Sequence, residues 1–282
     1  MDLTHAIDLH LHTAPDVFPR SVTEVEAARD AQNAGMRAIL LKSHHVLTAD
    51  RARLARDATG FPVFGGLALN LPTGGLNPVA VETAIAFGAR QIWMPTMHAQ
   101  NCLEEADLDM FGAEAVKGVH GIRVLDPDGQ LLPGVFPILE MIRDADIILG
   151  TGHLTPAESL AVLRAAQDMG LRRLLMTHPQ MDFTRASLGQ MRAAVDLGAF
   201  LELDALSCKA GWPGALPPSA IAQVIREVRP QHVCLASDGG QAVNPRPVQM
   251  LGAFAEALAQ EGIPSAALGT MLCENPAFLL SL

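Results

Sequence analysis

Histidines and one aspartate stand at places along this sequence where metal chemistry is feasible. Most of the ten histidines, with that aspartate, lie at or just beyond the ends of short apolar runs, namely His10, His12, His44, His45, His98, His153, His178 and Asp238. Neutral imidazoles and a carboxylate bind a divalent metal and leave one position open for water. The charge of the ion lowers the pKa of that water toward about 7, which supplies a hydroxide nucleophile. These residue types therefore predict a metal site that activates water.

Each motif alone also fits a plainer interpretation. The pair His10-x-His12 is equally consistent with two half-buried surface histidines, and Asp238 alone is more typical of a turn or a helix cap. On a strand, however, the side chains of His10 and His12 share one side because the period is two residues. A His-x-His pair, later single histidines and an aspartate, each at the end of a different strand, together favour the metal site.

The elements that must position these residues repeat along the chain. Short apolar runs alternate with amphipathic stretches of helical period, which indicates parallel strands joined by helices. The runs cover residues 6–10, 36–41, 63–70, 90–95, 147–151, 173–177, 199–203 and 233–237. These units in 282 residues predict an α/β fold, a (β/α)₈ TIM barrel with a single domain over residues 1–282. In such a barrel the carboxyl ends of all strands meet at one mouth, so the histidines and the aspartate would share a cavity.

Two local signals refine this prediction. The segment Ser21-Val22-Thr23-Glu24 predicts a helix with Ser21 as its N-cap and Glu24 as the capping-box residue, ending near Gly35. Between the fourth and fifth strands, the turn Pro127-Asp128-Gly129 predicts a small β-hairpin insertion.

Composition excludes several classes of function. The formal net charge of −10, without a dense Lys/Arg run, would repel a phosphate backbone and argues against nucleic acid. Apolar stretches such as residues 36–41 are far shorter than the ~20 residues that span a bilayer. The N-terminus lacks the pattern of a signal peptide, and the four cysteines form no CxxC pair. We expect a cytoplasmic protein with a small-molecule substrate and no nucleic-acid or membrane partner; a homo-oligomer is compatible with the sequence.

The ordered set of residues resembles the amidohydrolase superfamily of metal-dependent barrel enzymes. The resemblance rests on Asp8-Leu9-His10-Leu11-His12, His153, His178, Ser237-Asp238 and the tail Glu274-Asn275-Pro276-Ala277-Phe278-Leu279-Leu280, which is similar to an NPA-x-LL ending. More narrowly, Lys42-Ser43-His44 and Gly152-His153-Leu154 resemble an uncharacterised amidohydrolase-like family with no assigned substrate.

The resemblance implies a role for each matching residue. It implies that His10, His12 and His153 bind metal, and that His178 either ligates a second metal or hydrogen-bonds the reactive water. Asp238 would ligate metal and act as the general base that takes a proton from the water. The implied cofactor is one or two divalent ions, with Zn²⁺ favoured and Mn²⁺ or Fe²⁺ as alternatives.

The sequence departs from that pattern at strands two and four. Binuclear members carry a carbamylated lysine or a glutamate at the end of strand four, where this chain has Met94-Pro95-Thr96. On strand two, Lys42 and His44 stand where the similar polymerase-and-histidinol-phosphatase (PHP) barrels carry Asp-His, so both are additional candidate ligands. Lys42 is alternatively a substrate anchor, which we favour, or a salt-bridged structural lysine.

Other polar residues at the predicted mouth are candidates for substrate binding, namely Arg20, Lys42, Asn70, Thr96 and His98. Arg20 can clamp a carboxylate with two hydrogen bonds, or form an ion pair with Asp16 in the same loop. Glu202 and Asp204 alternate on strand seven, so both side chains can face the barrel interior.

Three functions remain open at this point. The favoured one is hydrolysis of a small, anionic amide, lactone or ester by metal-activated water. The missing ligand on strand four makes a metal-dependent decarboxylase or hydratase of a carboxylic acid the main alternative. The third is a non-catalytic barrel that binds a metabolite.

Overall fold

The structure, a computed structural model, describes residues 1–105 and 118–282. Its eight parallel strands lie in sequence order in one sheet, which confirms the predicted succession. The strands are β1 Ile7–His12, β2 Ala38–Lys42, β3 Val63–Ala68, β4 Gln91–Trp93, β5 Ile148–Gly150, β6 Leu174–Met176, β7 Phe200–Asp204 and β8 Val233–Ala236.

The sheet closes between its first and last strands. A parallel bridge joins Leu11 to Gly239, and the backbone N–H of Asp238 donates to the carbonyl of His10 at 2.9 Å. Helices connect the strands, so the predicted (β/α)₈ barrel is confirmed. The helices are α1 Glu24–Asn33, α2 Ala49–Thr59, α3 Pro78–Ala86, α4 Gln100–Glu105, α5 Val135–Ala145, α6 Pro156–Asp168, α7 Leu188–Asp196, α8 Pro218–Val228, α9 Pro247–Gln260, α10 Ser265–Gly269 and α11 Asn275–Leu280.

The start of α1 differs from the prediction of Ser21 as N-cap and Glu24 as its partner. Thr23 is the N-cap, and its backbone N–H donates to the Glu26 carboxylate at 2.8 Å. Ser21 is occupied elsewhere, because its N–H donates to the carbonyl of Gly240 at 2.8 Å and ties the loop to the barrel mouth. The Ser/Thr-x-x-Glu spacing of a capping box occurs twice here, at Ser21–Glu24 and at Thr23–Glu26. Because the backbone of Ser21 is bound to Gly240, the second motif caps the helix.

The first strand contains an irregularity that matters for its histidines. Its register against β2 shifts between Asp8 and Leu11. Below the shift, Leu9 belongs to the smaller apolar cluster with β4 and α11; above it, Leu11 belongs to the larger cluster that packs against the outer helices. A bulge of this kind re-aims side chains, and it leaves both His10 and His12 facing the mouth.

The insertion between β4 and β5 is partly within the described residues. Its turn is closed by a single antiparallel bridge between Leu125 and Leu131. The Asp126 carboxylate accepts from the backbone N–H groups of Asp128 and Gln130, both at 2.9 Å, which fixes the predicted turn. The predicted hairpin is thus present as a minimal turn, and residues 106–117 of the same connection lie outside the described part.

None of the helices among the described residues has both the length and the apolar character needed to cross a membrane.

Candidate metal centre

The carboxyl ends of five strands bring most of the predicted metal ligands to one place at the barrel mouth. The residues brought together are His10, His12, Lys42, His153, His178 and Asp238, all of them buried. The ring centroids of His10 and His12 are 5.5 Å apart, and those of His153 and His178 are 4.8 Å apart. His178 and Asp238 both have positive φ angles, of 22° and 45°. Such conformations are costly for residues other than glycine and concentrate at functional sites.

Asp238 is the centre of the first part of this cluster. One of its carboxylate oxygens lies 3.1 Å from Nε2 of His10 and 3.3 Å from Nε2 of His12. The Nζ atom of Lys42, the last residue of β2, lies 2.9 Å from the same nitrogen of His10. Two imidazole nitrogens, a carboxylate and an amine therefore converge on one point, as the prediction from strand ends required.

Glu202 orients the ring of His10 from the other side. The Glu202 carboxylate lies 2.7 Å from Nδ1 of His10, and both side chains are fully buried. With the Nδ1 proton held by Glu202, the Nε2 atom of His10 is directed toward Asp238 and the cavity. A carboxylate behind a ligating histidine sets the tautomer and the ring orientation in metal sites.

The side chains of the cluster differ in their protonation states. Burial lowers the pKa of His10, but the carboxylates of Asp238 and Glu202 outweigh burial and raise that pKa to about 10. Burial raises the pKa of Asp238, yet His10 and His12 hold it well below its ordinary value. Burial keeps the pKa values of His153 and His178 well below normal. At neutral pH the site therefore combines an ionised carboxylate and two neutral imidazoles with a protonated His10, which loses a proton when a metal binds.

A second grouping of ligand atoms includes strand seven. Ligand atoms of His10, His178, Asp204 and Asp238 all lie within 4.8 Å of one another. Within the described residues, neither oxygen of Asp204, nor Oε2 of Glu202, nor Nδ1 of His178 has a hydrogen-bond partner, although all are buried. Buried polar atoms without partners are rare unless an ion or water satisfies them. This donor set of imidazoles and carboxylates fits a divalent cation.

Arg20 lies in the loop after β1 and takes part in two contacts. Its guanidinium forms the ion pair with Asp16 that the sequence offered as one alternative, at 2.8 Å. It also lies 3.3 Å from Nδ1 of His12. Burial, followed by this positive charge, lowers the pKa of His12 to about 3. Arg20 also lines the cavity, so its guanidinium can contact a ligand bound there.

His44 forms the wall of the cavity next to His12. The two rings stack with centroids 5.0 Å apart, and Nδ1 of His44 lies 2.8 Å from the hydroxyl of Thr96. Asn70 accepts hydrogen bonds from the backbone N–H groups of Thr96 and His98, at 2.9 and 3.1 Å. Of the predicted substrate-binding residues, Arg20 and Lys42 line the cavity, whereas Asn70, Thr96 and His98 connect the loops that support His44.

A cavity of about 440 Å³ opens above the cluster. Its polar floor contains Lys42, His153, His178 and Asp238. Its remaining wall is largely apolar, with Phe18, Met181, Phe183, Leu206, Trp212 and Val243. The sequence motifs did not predict this wall. Its residues come from loops after the strands, and their only signal was large apolar side chains within a few residues of a strand end.

Solved structures with the same fold are hydrolases by their descriptions. An amidohydrolase from Pseudomonas aeruginosa superposes with a TM-score of 0.64 at 14% identity, over 98% of this chain and 95% of the other. An organophosphorus hydrolase from Deinococcus radiodurans gives 0.63 at 14% identity, over 98% and 92%. A probable 2-pyrone-4,6-dicarboxylic acid hydrolase from Acinetobacter baumannii, with citric acid bound, gives 0.60 at 12% identity, over 99% and 100%. At these identities the likeness shows the fold, and it agrees with the barrel that the resemblance to amidohydrolases implied.

Comparison with curated proteins finds no match. A family model does match, over residues 5–202, which is more than half of the chain and includes β1 to β6 and part of β7. Its description is "Family of unknown function (DUF6282)", and this chain belongs to that family.

Proposed function

We propose that this chain is a divalent-metal-dependent hydrolase of the amidohydrolase type, which acts on a small, anionic amide, lactone or ester. The observation that carries the proposal is that His10 and His12 both lie within 3.3 Å of the Asp238 carboxylate, at a point where His12 and Asp238 line a cavity. The descriptions of similarly folded proteins as hydrolases support it.

The residues proposed to hold the metal are His10, His12, His153, His178 and Asp238, with Lys42 and His44 as additional candidates. Zn²⁺ suits this set of imidazoles and carboxylates, and Mn²⁺ or Fe²⁺ are alternatives. When bound, such an ion polarises a carbonyl group and lowers the pKa of water toward about 7.

Asp238 is the proposed general base. Burial raises its pKa, but the histidines around it hold that pKa well below its ordinary value, so the carboxylate is ionised at neutral pH, which is the protonation state that a general base requires. It would take that proton from the attacking water and pass it to the leaving group. His178, 1% exposed and on the floor of the same cavity, would either ligate a second ion or donate a hydrogen bond that orients the water.

The cavity lining supports the proposed class of substrate. On one side Arg20 supplies positive charge and Lys42 an amine whose pKa is lowered by burial, and the aromatic and aliphatic side chains named above form the other side. A volume of about 440 Å³ lies in the range of small-molecule sites, roughly 300–1,000 Å³. A substrate with a carboxylate at one end and an apolar body fits both features, and it makes Lys42 and Arg20 substrate anchors.

One observation favours a second candidate, a metal-dependent decarboxylase or hydratase. The end of β4, at Met94-Pro95-Thr96, offers no lysine or glutamate to bridge two ions. With a single metal ion, Arg20 and Lys42 would hold the carboxylate of the substrate during loss of CO₂ or addition of water.

An assay on a panel of lactones, amides, esters and aromatic carboxylates tests the proposal. Incorporation of ¹⁸O from water and release of CO₂ are followed before chelation, after chelation, and after Zn²⁺ is restored. We expect hydrolysis that chelation abolishes and Zn²⁺ restores. CO₂ release without hydrolysis would establish a decarboxylase, ¹⁸O uptake without cleavage of the substrate would establish a hydratase, and turnover that chelation leaves unchanged would refute the metal dependence.

Two substitutions sharpen this assay. Asp238→Asn should lower kcat by at least about 100-fold, the contribution typical of a general base, while most of the metal remains. Arg20→Gln should raise KM for the anionic substrate by more than for a neutral analogue, which reports any effect of the substitution through His12 alone. Arg53→Gln is the control, because that side chain is 70% exposed on α2. Equal effects of Arg20→Gln on both substrates would exclude the carboxylate clamp.

A further inference from the structure

Strand seven contributes two buried carboxylates that the roles proposed above leave largely unused. Alternate residues of β7 face different sides of the barrel wall. Leu201 and Leu203 belong to the cluster that packs against the outer helices. Glu202 and Asp204 lie on the interior side, and both are 0% exposed.

The two carboxylates differ in how they are satisfied. Glu202 is bound to Nδ1 of His10 at 2.7 Å. Neither oxygen of Asp204 has a hydrogen-bond partner within residues 1–105 and 118–282, and its nearest cationic partner is Nδ1 of His10, 3.8 Å away. A buried carboxylate without partners is strongly unfavourable unless it is protonated or binds a cation. Burial, and then the charge of Glu202, raise the pKa of Asp204 well above its ordinary value.

Asp204 lies within reach of an ion shared with three other residues. The ligand atoms of His10, His178, Asp204 and Asp238 lie within 4.8 Å of one another. Metal–ligand bonds of roughly 2.0–2.2 Å keep the ligand atoms around one ion within roughly 4.4 Å of each other. Four donors in a tetrahedral site lie roughly 3.3–3.6 Å apart, so the most widely separated donors here would move closer by roughly 1 Å around a bound ion.

The four residues come from adjacent strands. His178 follows β6, Asp204 ends β7, Asp238 follows β8 and His10 lies on β1, so the donors form an arc across the closure of the barrel. The end of β4, on the opposite side of this arc, has no ligating side chain. The arc gives a complete set of four donors without any contribution from β4.

We propose that Asp204 is a metal ligand, through which strand seven supplies the carboxylate that strand four lacks, and that Glu202 is the residue that positions His10. This inference rests on the proposed metal dependence, but it concerns binding rather than turnover. It predicts that Asp204 and Glu202, although both buried carboxylates, affect metal binding by different amounts.

The experiment measures Zn²⁺ affinity by chelator competition in the full chain and in Asp204→Asn and Glu202→Gln, with metal content determined in parallel. Glu202→Gln should weaken binding by about 10–100-fold, as expected for a residue behind a ligand. Asp204→Asn should weaken binding more than that, and the metal-free variant should melt at about the same temperature, because a neutral amide of the same size replaces a buried carboxyl that makes no hydrogen bond. The Co²⁺-substituted protein should show a changed visible spectrum in Asp204→Asn, since one donor is altered.

Glu158→Gln is the matched control. Glu158 is also a buried carboxylate, 5% exposed, but it accepts hydrogen bonds from the backbone of Thr155 and Val124 and does not line the cavity. Its substitution should change stability and leave Zn²⁺ affinity unchanged. Asp204→Asn with unchanged affinity and an unchanged Co²⁺ spectrum would overturn the inference alone. A parent chain that binds no divalent ion would overturn the proposed function as well.

Discussion

At the level of single residues, the surroundings of each imidazole determine its charge. His10 lies between two carboxylates, which raise its pKa to about 10, whereas burial lowers the pKa values of His153 and His178. An ion entering the site would therefore meet neutral nitrogens on one side and displace a proton from His10 on the other. Metal binding at neutral pH is expected to release protons for this reason.

Asp8 provides a prediction about pH at this scale. Its buried carboxylate accepts from the backbone N–H groups of His10 and Ser237, both at 3.1 Å, and burial raises its pKa from 3.8 to about 6. The folded chain thus holds this proton more tightly than the unfolded chain. The stability that the protonated group provides is complete below about pH 4 and is lost as the pH rises through about 6.

Between pH 4 and pH 8, Asp8 should lower the free energy of unfolding of the parent chain by about 3 kcal/mol, at about 1.4 kcal/mol for each pKa unit. We therefore expect this part of the decrease to be absent in Asp8→Asn. Urea denaturation of the metal-free protein across this range measures it. Asp57→Asn, at a side chain that is 62% exposed, should leave the profile unchanged. An identical pH profile for Asp8→Asn and the parent chain would contradict the assignment.

At the level of elements, the loops that leave the strands decide where the ligands lie. The loop after β5 turns at Gly152, whose φ is +63°, immediately before His153. A Cβ atom at Gly152 would lie 2.4 Å from the carbonyl oxygens of Met94 and Pro95. Two strand ends approach so closely here that only glycine fits, and this contact fixes the position of His153.

Gly152→Ala should therefore destabilise the protein by several kcal/mol and weaken metal binding. Gly129→Ala is the control, because Gly129 also has a positive φ, +77°, but a Cβ there would meet nothing within 4 Å. The control should lose only the cost of a left-handed residue, roughly 1–2 kcal/mol. Chemical denaturation of both variants makes the comparison, and equal losses would show that the close approach is unimportant.

Much of this arrangement was predictable from the sequence because strand ends in a parallel barrel converge on one mouth. That rule brought His10, His153 and Asp238 together across the whole chain. It could not determine which way a residue beyond the last strand position faces, since a loop sets that direction. For this reason Asn70 and Thr96 support His44 instead of lining the cavity.

Other features depend on tertiary contacts that no local pattern encodes. The register shift in β1 changes which side of the sheet alternate side chains face. Thr23, and not Ser21, caps α1 because the backbone of Ser21 is bound to Gly240. The environment of Asp204 depends on three other strands. Its alternation with Glu202 was visible in the sequence, but its lack of hydrogen-bond partners was not.

At the level of the whole molecule, the two ends of the barrel differ in composition and in role. The mouth gathers polar and ionisable groups, and the opposite end is closed by α11, where Leu279 and Leu280 pack with Ile7 and Leu9. Asn275 anchors this helix by donating to the carbonyls of Pro230 and Val233. In barrels of this type, the mouth serves catalysis and the other end serves stability.

Leu280→Ala should consequently destabilise the protein by about 2–5 kcal/mol, as expected for a buried leucine, without changing Zn²⁺ affinity. Leu280 is 1% exposed, and Leu282, which is 42% exposed, provides the control substitution Leu282→Ala. Thermal denaturation and chelator competition measure the two properties. A loss of metal affinity in Leu280→Ala that matches its loss of stability would show that the two ends are not independent.

The metal content of each chain, measured by inductively coupled plasma mass spectrometry on gently purified protein, tests the central claim most directly. We predict at least one tightly held divalent ion per chain, and its loss in a folded His10→Ala variant. One ion would favour a single-metal site, and two would require ligands from strand two or strand seven. A parent chain without any bound ion after incubation with Zn²⁺, or full occupancy in His10→Ala, would contradict the metal centre described above.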